Sequence, residues 1–378
     1  MKIITLSIII LFSTSLFAHY KIWDKLDKGN YDVGFKVLSL YDSTRTINNQ
    51  KSYRPIQLSI WYPAQDSQNP EPMIYKDYFL LSATEIDFEV SDALKDSSIA
   101  EYKNLLLQNG VNADAFEEWF DNQMIANKNA IPIENKFPLV VVAQGNYHSA
   151  HHQSFLCEFL ASNGYVVVTT PSQTRISGLM TDNSQAVESA GDQVKDMEFA
   201  IHSIRNFNNI DFNNIALLGH SFGGRSILLL QMKNENVKCL VSLDGGLGLN
   251  TAIEDIKKSP EFNSEKMNVP LLHIYEDNEE FIKPDFTLID SFNHSEIFLI
   301  KINDIHHFYF TSIGLVSGTI EGFAPASENL FVKSKLIYDF TKGFLNAVFE
   351  HNDKVMNNLK EELSSIANST DFITFQFK

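Results

Sequence analysis

Ile215-Ala216-Leu217-Leu218-Gly219-His220-Ser221-Phe222-Gly223-Gly224-Arg225-Ser226-Ile227-Leu228-Leu229-Leu230 places an apolar run, a Gly-x-Ser-x-Gly turn and a second apolar run in succession. The first run suits a strand buried on both faces and the second a helix. Gly-x-Ser-x-Gly alone also reads as a tight turn with a helix N-cap. With strand before and helix after, it becomes a sharp turn that holds Ser221 in strained backbone and aims its hydroxyl out of the sheet. The glycines two positions either side leave room for neighbouring backbone.

Working outward, further buried-strand runs lie at 138–143, 164–170, 239–243, 271–275 and 296–300. Helical spacing follows the first through Ala161, and Val194, Met197, Ile201 and Ile204 mark a helix over 193–206. Alternating strands and helices predict a mostly parallel sheet flanked by helices, with right-handed crossovers and its site outside the strands' carboxyl ends. Upstream, Ile56 to Pro63 reads as an antiparallel-side strand ended by proline. Residues 73–135 turn polar and helical, with Phe116, Trp119, Phe120 and Met124 on one helical face. They predict a helical, cap-like insertion outside the sheet, packed on the core or serving as a lid or lipid-facing surface. The expected organisation is one domain over 19–378 carrying that insertion.

A serine is a poor nucleophile at neutral pH without a base in hydrogen-bond reach and an acid to orient that base. Asp244, directly after the strand 239–243, is the first candidate acid; Asp277 follows the strand 271–275 and competes with it, with Glu276 beside it. His306 and His307 follow the strand 296–300, late in the chain as the order Ser, Asp, His requires. The oxyanion donors would be the backbone amides of Phe222, next to the nucleophile, and Asn146, after the strand 138–143. His220 is expected to support the turn. His148, His151 and His152 cluster at a helix start, where solvent exposure is expected; no carboxylate or cysteine completes a metal set there, and no cofactor is called for.

The 30 Lys plus Arg against 47 Asp plus Glu give a formal charge of -17, which repels nucleic-acid phosphates and anionic lipid. Cys157 and Cys239 are too few for a disulfide framework and read as small buried residues. Residues 1–18 run from a positive residue through an apolar stretch to small residues near Ala18, the outline of a signal peptide, so a secreted or periplasmic location is expected.

The chain resembles the platelet-activating factor acetylhydrolase and dienelactone hydrolase-like branch of the α/β-hydrolase superfamily. The landmarks are Ile60-Trp61-Tyr62-Pro63-Ala64, Phe137-Pro138-Leu139-Val140-Val141-Val142, Leu160-Ala161-Ser162-Asn163-Gly164-Tyr165-Val166-Val167, Gly219-His220-Ser221-Phe222-Gly223-Gly224 and Ser242-Leu243-Asp244-Gly245. The resemblance implies the α/β-hydrolase fold and hydrolysis of short acyl esters, lipid esters among them, through a Ser-His-Asp triad without a metal. It favours Asp244 over Asp277, because the acid in that branch follows the strand after the nucleophile helix. It favours His307 over His306, because the base there heads a His-x-x-Phe pattern, matched by His307 and Phe310. The chain departs from the usual His-Gly of the oxyanion loop with Gln144-Gly145. A serine peptidase or amidase on the same fold, and a catalytically silent binding module, are the rival readings.

Overall fold

The computed structural model describes residues 22–47, 52–66, 70–178, 185–280, 282–324 and 329–378; the expected signal peptide at 1–18 lies outside them. Eleven strands form one sheet: β1 (Asp32–Thr46), β2 (Tyr53–Ala64), β3 (Pro72–Ile74), β4 (Gln123–Lys128), β5 (Phe137–Ala143), β6 (Val166–Thr169), β7 (Ile210–His220), β8 (Val237–Leu243), β9 (Leu271–Tyr275), β10 (Ile297–Ile302) and β11 (Ile373–Phe377). Their order is β11-β10-β9-β8-β7-β5-β6-β2-β1-β4-β3. From β6 to β10 every neighbouring pair is parallel, while β2 joins β6, and β11 joins β10, antiparallel.

The strand sequences explain the layering. Along β5, Val140 and Val142 enter one apolar core, and Leu139, Val141 and Ala143 the other. That is the period-two alternation of a pleated strand, here apolar on both faces because both are covered. Eleven helices supply the cover: α1 (Tyr75–Leu81), α2 (Asp92–Gln108), α3 (Ala113–Phe120), α4 (Ser154–Ser162), α5 (Gln173–Ser177), α6 (Ala186–Ser203), α7 (Gly223–Gln231), α8 (Ile253–Lys258), α9 (Ser312–Thr319), α10 (Leu330–Phe349) and α11 (Asp353–Ser369). The first core takes its helical residues mainly from α3, α4, α9 and α10, the second from α6, α7 and α8. None of the described helices is long and apolar enough to cross a membrane.

The structure differs from two sequence expectations. Helix α6 starts at Ala186 rather than 193, because Ala186, Ser189 and Ala190 extend its buried face by small residues that carry little apolar signal. Residues 73–135 are not wholly helical, nor outside the sheet: β4 runs parallel to β1 and β3 antiparallel to β4, extending the sheet at its edge. Met124 therefore sits on a strand, while Phe116, Trp119 and Phe120 lie on α3; all four are buried. The edge of β1 offers unpaired backbone groups, and a short polar segment can satisfy them without an apolar run of its own.

Candidate active site

Ser221 lies between β7 and α7 with φ 53, left-handed backbone that costs an L-residue about 1–3 kcal/mol. Three hydrogen bonds hold it there: its amide donates to Leu243 O at 3.2 Å, and its carbonyl accepts from Gly224 N at 3.0 Å and Gly246 N at 2.7 Å. All three glycines of the turn meet backbone too closely for a Cβ, Gly223 most of all, where it would stand 2.1 Å from the Ala143 carbonyl oxygen.

Asp244 immediately follows β8, also with left-handed backbone, φ 44, and is fully buried. Its amide donates to Ile274 O at 2.7 Å and its Oδ1 accepts from the Glu276 amide at 3.3 Å. His307 opens a single 3-10 turn, His307–Phe310, anchored by the buried Phe310. Its Nδ1 lies 2.5 Å from Asp244 Oδ2 and its Nε2 2.8 Å from Ser221 Oγ. Asp, His and Ser from three separate loops thus form one hydrogen-bonded line.

The other sequence candidates stand outside that line. Asp277 is largely exposed and pairs with Lys301 at 3.0 Å; His306 is exposed, 3.5 Å from Glu279. Glu276 is buried and organises its loop instead, accepting the amides of Asn278 and Glu279. Burial pushes its carboxyl up against the pull of the Asn278 amide, and the Asp244 charge adds to the rise. Asn278 Nδ2 donates to Ile305 O at 2.7 Å, tying this loop to the one that carries His307. Asn278 had no sequence signal, because its role is a contact across 27 residues.

The turn after β5 comes close to the serine. An added Cβ on Gly145 would lie 3.2 Å from Ser221 Cβ and 2.9 Å from His220 Nδ1. The next amides are occupied: Tyr147 N donates to Ser172 Oγ and Thr174 Oγ1, at 3.2 and 2.8 Å, and His148 N to Gly145 O at 3.0 Å. The amides of Asn146 and Phe222 have no acceptor among the described residues. Two free donors beside a nucleophile can receive a developing oxyanion.

His148 and His151 are not solvent-exposed, contrary to the expectation for that cluster; both are buried, and His152 is partly buried. The loop after β6 closes over them, with Ser172 N donating to His148 O at 2.9 Å. Ring centroids run in a row: His307 to His220 at 4.8 Å, His220 to His148 at 5.3 Å, His148 to His152 at 3.9 Å and His152 to His151 at 3.9 Å. The row ends on Tyr75, whose hydroxyl is 2.8 Å from His151 Nδ1. Burial drives His148, His151, His152 and His220 well below the ordinary histidine value, and mutual repulsion between protonated rings adds to this. Burial thus favours their neutral forms. His220, expected to support the turn, sets its Nε2 3.3 Å from the His307 carbonyl, where its N–H can donate. No group of three or more His, Cys, Asp or Glu among the described residues is arranged to hold a metal ion. Cys157 and Cys239 are free and buried.

Residues 125–297 match the dienelactone hydrolase family. This part of the chain is a dienelactone hydrolase family domain, and the protein is a carboxylesterase-type hydrolase of the α/β-hydrolase superfamily. Among solved structures the fold is similar to that of a ferulic acid esterase from Streptomyces cinnamoneus, with a TM-score of 0.59 and 18% identity over 84% of this chain and 89% of that one. No curated protein matches the sequence.

Proposed function

We propose that the protein hydrolyses carboxylic esters, short acyl or lipid-like, through an acyl-enzyme on Ser221, and that it acts outside the cytoplasm. In this reading His307 Nε2 takes the Ser221 proton as Oγ attacks the ester carbonyl, and the amides of Phe222 and Asn146 receive the oxyanion. Asp244 fixes the His307 tautomer with Nδ1–H directed at its carboxylate and stabilises the imidazolium. The proton passes to the departing alcohol oxygen, and water, activated by the same imidazole, releases the acid. The observation that carries the reading is the line Asp244 Oδ2, His307 Nδ1 and Nε2, Ser221 Oγ, with spacings of 2.5 and 2.8 Å. Export rests on the basic, apolar and small-residue order of residues 1–18.

The test is hydrolysis of p-nitrophenyl esters of rising acyl length by the wild type beside Ser221→Ala, Asp244→Asn, Asp277→Asn and His307→Gln. Activity lost in all but Asp277→Asn supports the assignment. A folded wild type no faster than Ser221→Ala on every ester sinks it and turns attention to amide substrates or a binding module. A lipid-borne ester is a second reading, favoured by Leu94 and Leu105, which are exposed and eleven residues apart on one face of α2. Liposome flotation with and without the substitutions Leu94→Ser and Leu105→Ser tests it; equal recovery of both proteins rejects it.

A further inference from the structure

Seven non-glycine residues among those described have positive φ: Asn129, Tyr147, Ser221, Asp244, Asp304, Asn329 and His351. Asn, Asp and His adopt this conformation most readily, which accounts for five of them. The other two are the nucleophile and Tyr147, next to the Asn146 amide. Tyr147, with φ 67, is held by the Ser172 and Thr174 hydroxyls on its amide. The side chain is 42% exposed and makes no ring contact or side-chain hydrogen bond among the described residues. Phe308 is a second exposed ring, without the left-handed backbone. It follows His307 directly and is 57% exposed, while Phe310, from the same turn, carries the anchoring. Its ring edge approaches His307 and His148, with centroids 6.2 and 6.1 Å away.

Both positions are fixed covalently to the proposed machinery. Tyr147 is bonded to the residue that supplies an oxyanion amide, Phe308 to the base that returns a proton to the leaving alcohol. In that arrangement the carbonyl oxygen points at the Asn146 amide and the leaving oxygen at His307 Nε2. We propose that the acyl group extends beside Tyr147 and the alcohol beside Phe308, and that these two residues select esters with a planar aromatic acyl group and an apolar alcohol. This rests on the hydrolase reading above. An exposed tyrosine ring has only two side-chain torsions to fix, so it offers a flat surface at low entropic cost, and rings gain from offset or edge-to-face contact beyond the area buried. A flexible alkyl chain gains only the area.

The experiment compares kcat/KM of the full-length protein for methyl benzoate and methyl hexanoate, which vary the acyl group, and for phenyl acetate and methyl acetate, which vary the alcohol. Tyr147→Asn keeps a residue that tolerates left-handed backbone but removes the ring, and Tyr147→Phe keeps the ring. The expected result is a benzoate-to-hexanoate ratio reduced roughly tenfold in Tyr147→Asn and within about twofold of wild type in Tyr147→Phe, the scale of one aromatic contact. Phe308→Ala lowers the phenyl-to-methyl acetate ratio by a similar factor and leaves the acyl ratio near that of the wild type. Ratios within one variant cancel any loss of folded protein. Equal losses on benzoate and hexanoate, or unchanged ratios in variants that still turn over esters, overturn the assignment while the hydrolase reading stands. A wild type as inert as Ser221→Ala on all four esters overturns both.

Discussion

At the carboxyl ends of β7 and β8, Ser221 and Asp244 sit in left-handed backbone, and polar groups are buried in a row of stacked rings. Across the sheet edge built from residues 72–128, the one positive φ is at Gly110, and the interior is an aromatic cluster of Tyr75, Phe79, Phe116, Trp119 and Phe120. The edge satisfies a buried carboxylate brought to it by α4: Glu158 accepts from Tyr78 Oη at 2.5 Å and from the β4 amides of Ile125 and Ala126 at 2.9 and 3.3 Å. At the centre, His148 Nδ1, His220 Nδ1 and Asn146 Oδ1 are buried and make no hydrogen bond among the described residues. Left-handed backbone at non-glycine residues marks the centre and not the edge, while unpaired buried atoms occur in both, Trp119 Nε1 and Asn127 Oδ1 among those of the edge. The two regions touch where Tyr75 meets His151, so the edge also backs the histidine row.

The largest expected effect separates the regions by function. Asp244→Asn should lower kcat on p-nitrophenyl acetate by about 10⁴-fold with little change in the thermal midpoint, because His307 then has the wrong tautomer. Steady-state kinetics with a melting curve checks it; a tenfold effect or less would place the charge elsewhere. Trp119→Ala should do the converse, costing about 3–5 kcal/mol of stability through the cavity left in the edge, as read by urea unfolding. If it abolishes activity in protein that is still folded, the edge acts on the chemistry and the contrast fails.

Glu158 gives a pH signature to the edge alone. Burial pushes its carboxyl up to about 8 from an ordinary 4.5, against the hydrogen bonds from Tyr78, Ile125 and Ala126. The folded chain therefore holds a proton that the unfolded chain releases, and this contribution is full below pH 4.5 and lost as pH rises through about 8. Between pH 5 and 8 the thermal midpoint of the wild type should fall more steeply than that of Glu158→Gln; parallel curves would show that the carboxyl is not held neutral. The smallest effect is expected at Asp277, whose exposed pair with Lys301 is worth about 0–1 kcal/mol. Asp277→Asn should stay within about 0.5 kcal/mol of wild type in stability and about twofold in kcat, by the same measurements.

The chain's own sequence determined the parallel strands, their two-faced burial and the serine turn, because these depend on residues adjacent or alternating along it. Gly219 to Gly224 between two apolar runs leaves one local geometry open, and the strand 271–275 was legible to the residue. Which of Asp244 and Asp277 lies beside His307 is visible only in the tertiary structure. Both follow a strand of the same sheet, and what separates them is a left-handed turn at 244 that faces His307, and Lys301 on β10 facing 277. The edge strand β4 was likewise invisible, since its pairing is provided by the open side of β1 and not by its own apolar content. The histidines beside the site looked solvent-exposed for the same reason. Their burial comes from the loop after β6, and a contact made across the fold leaves no period in the sequence to read.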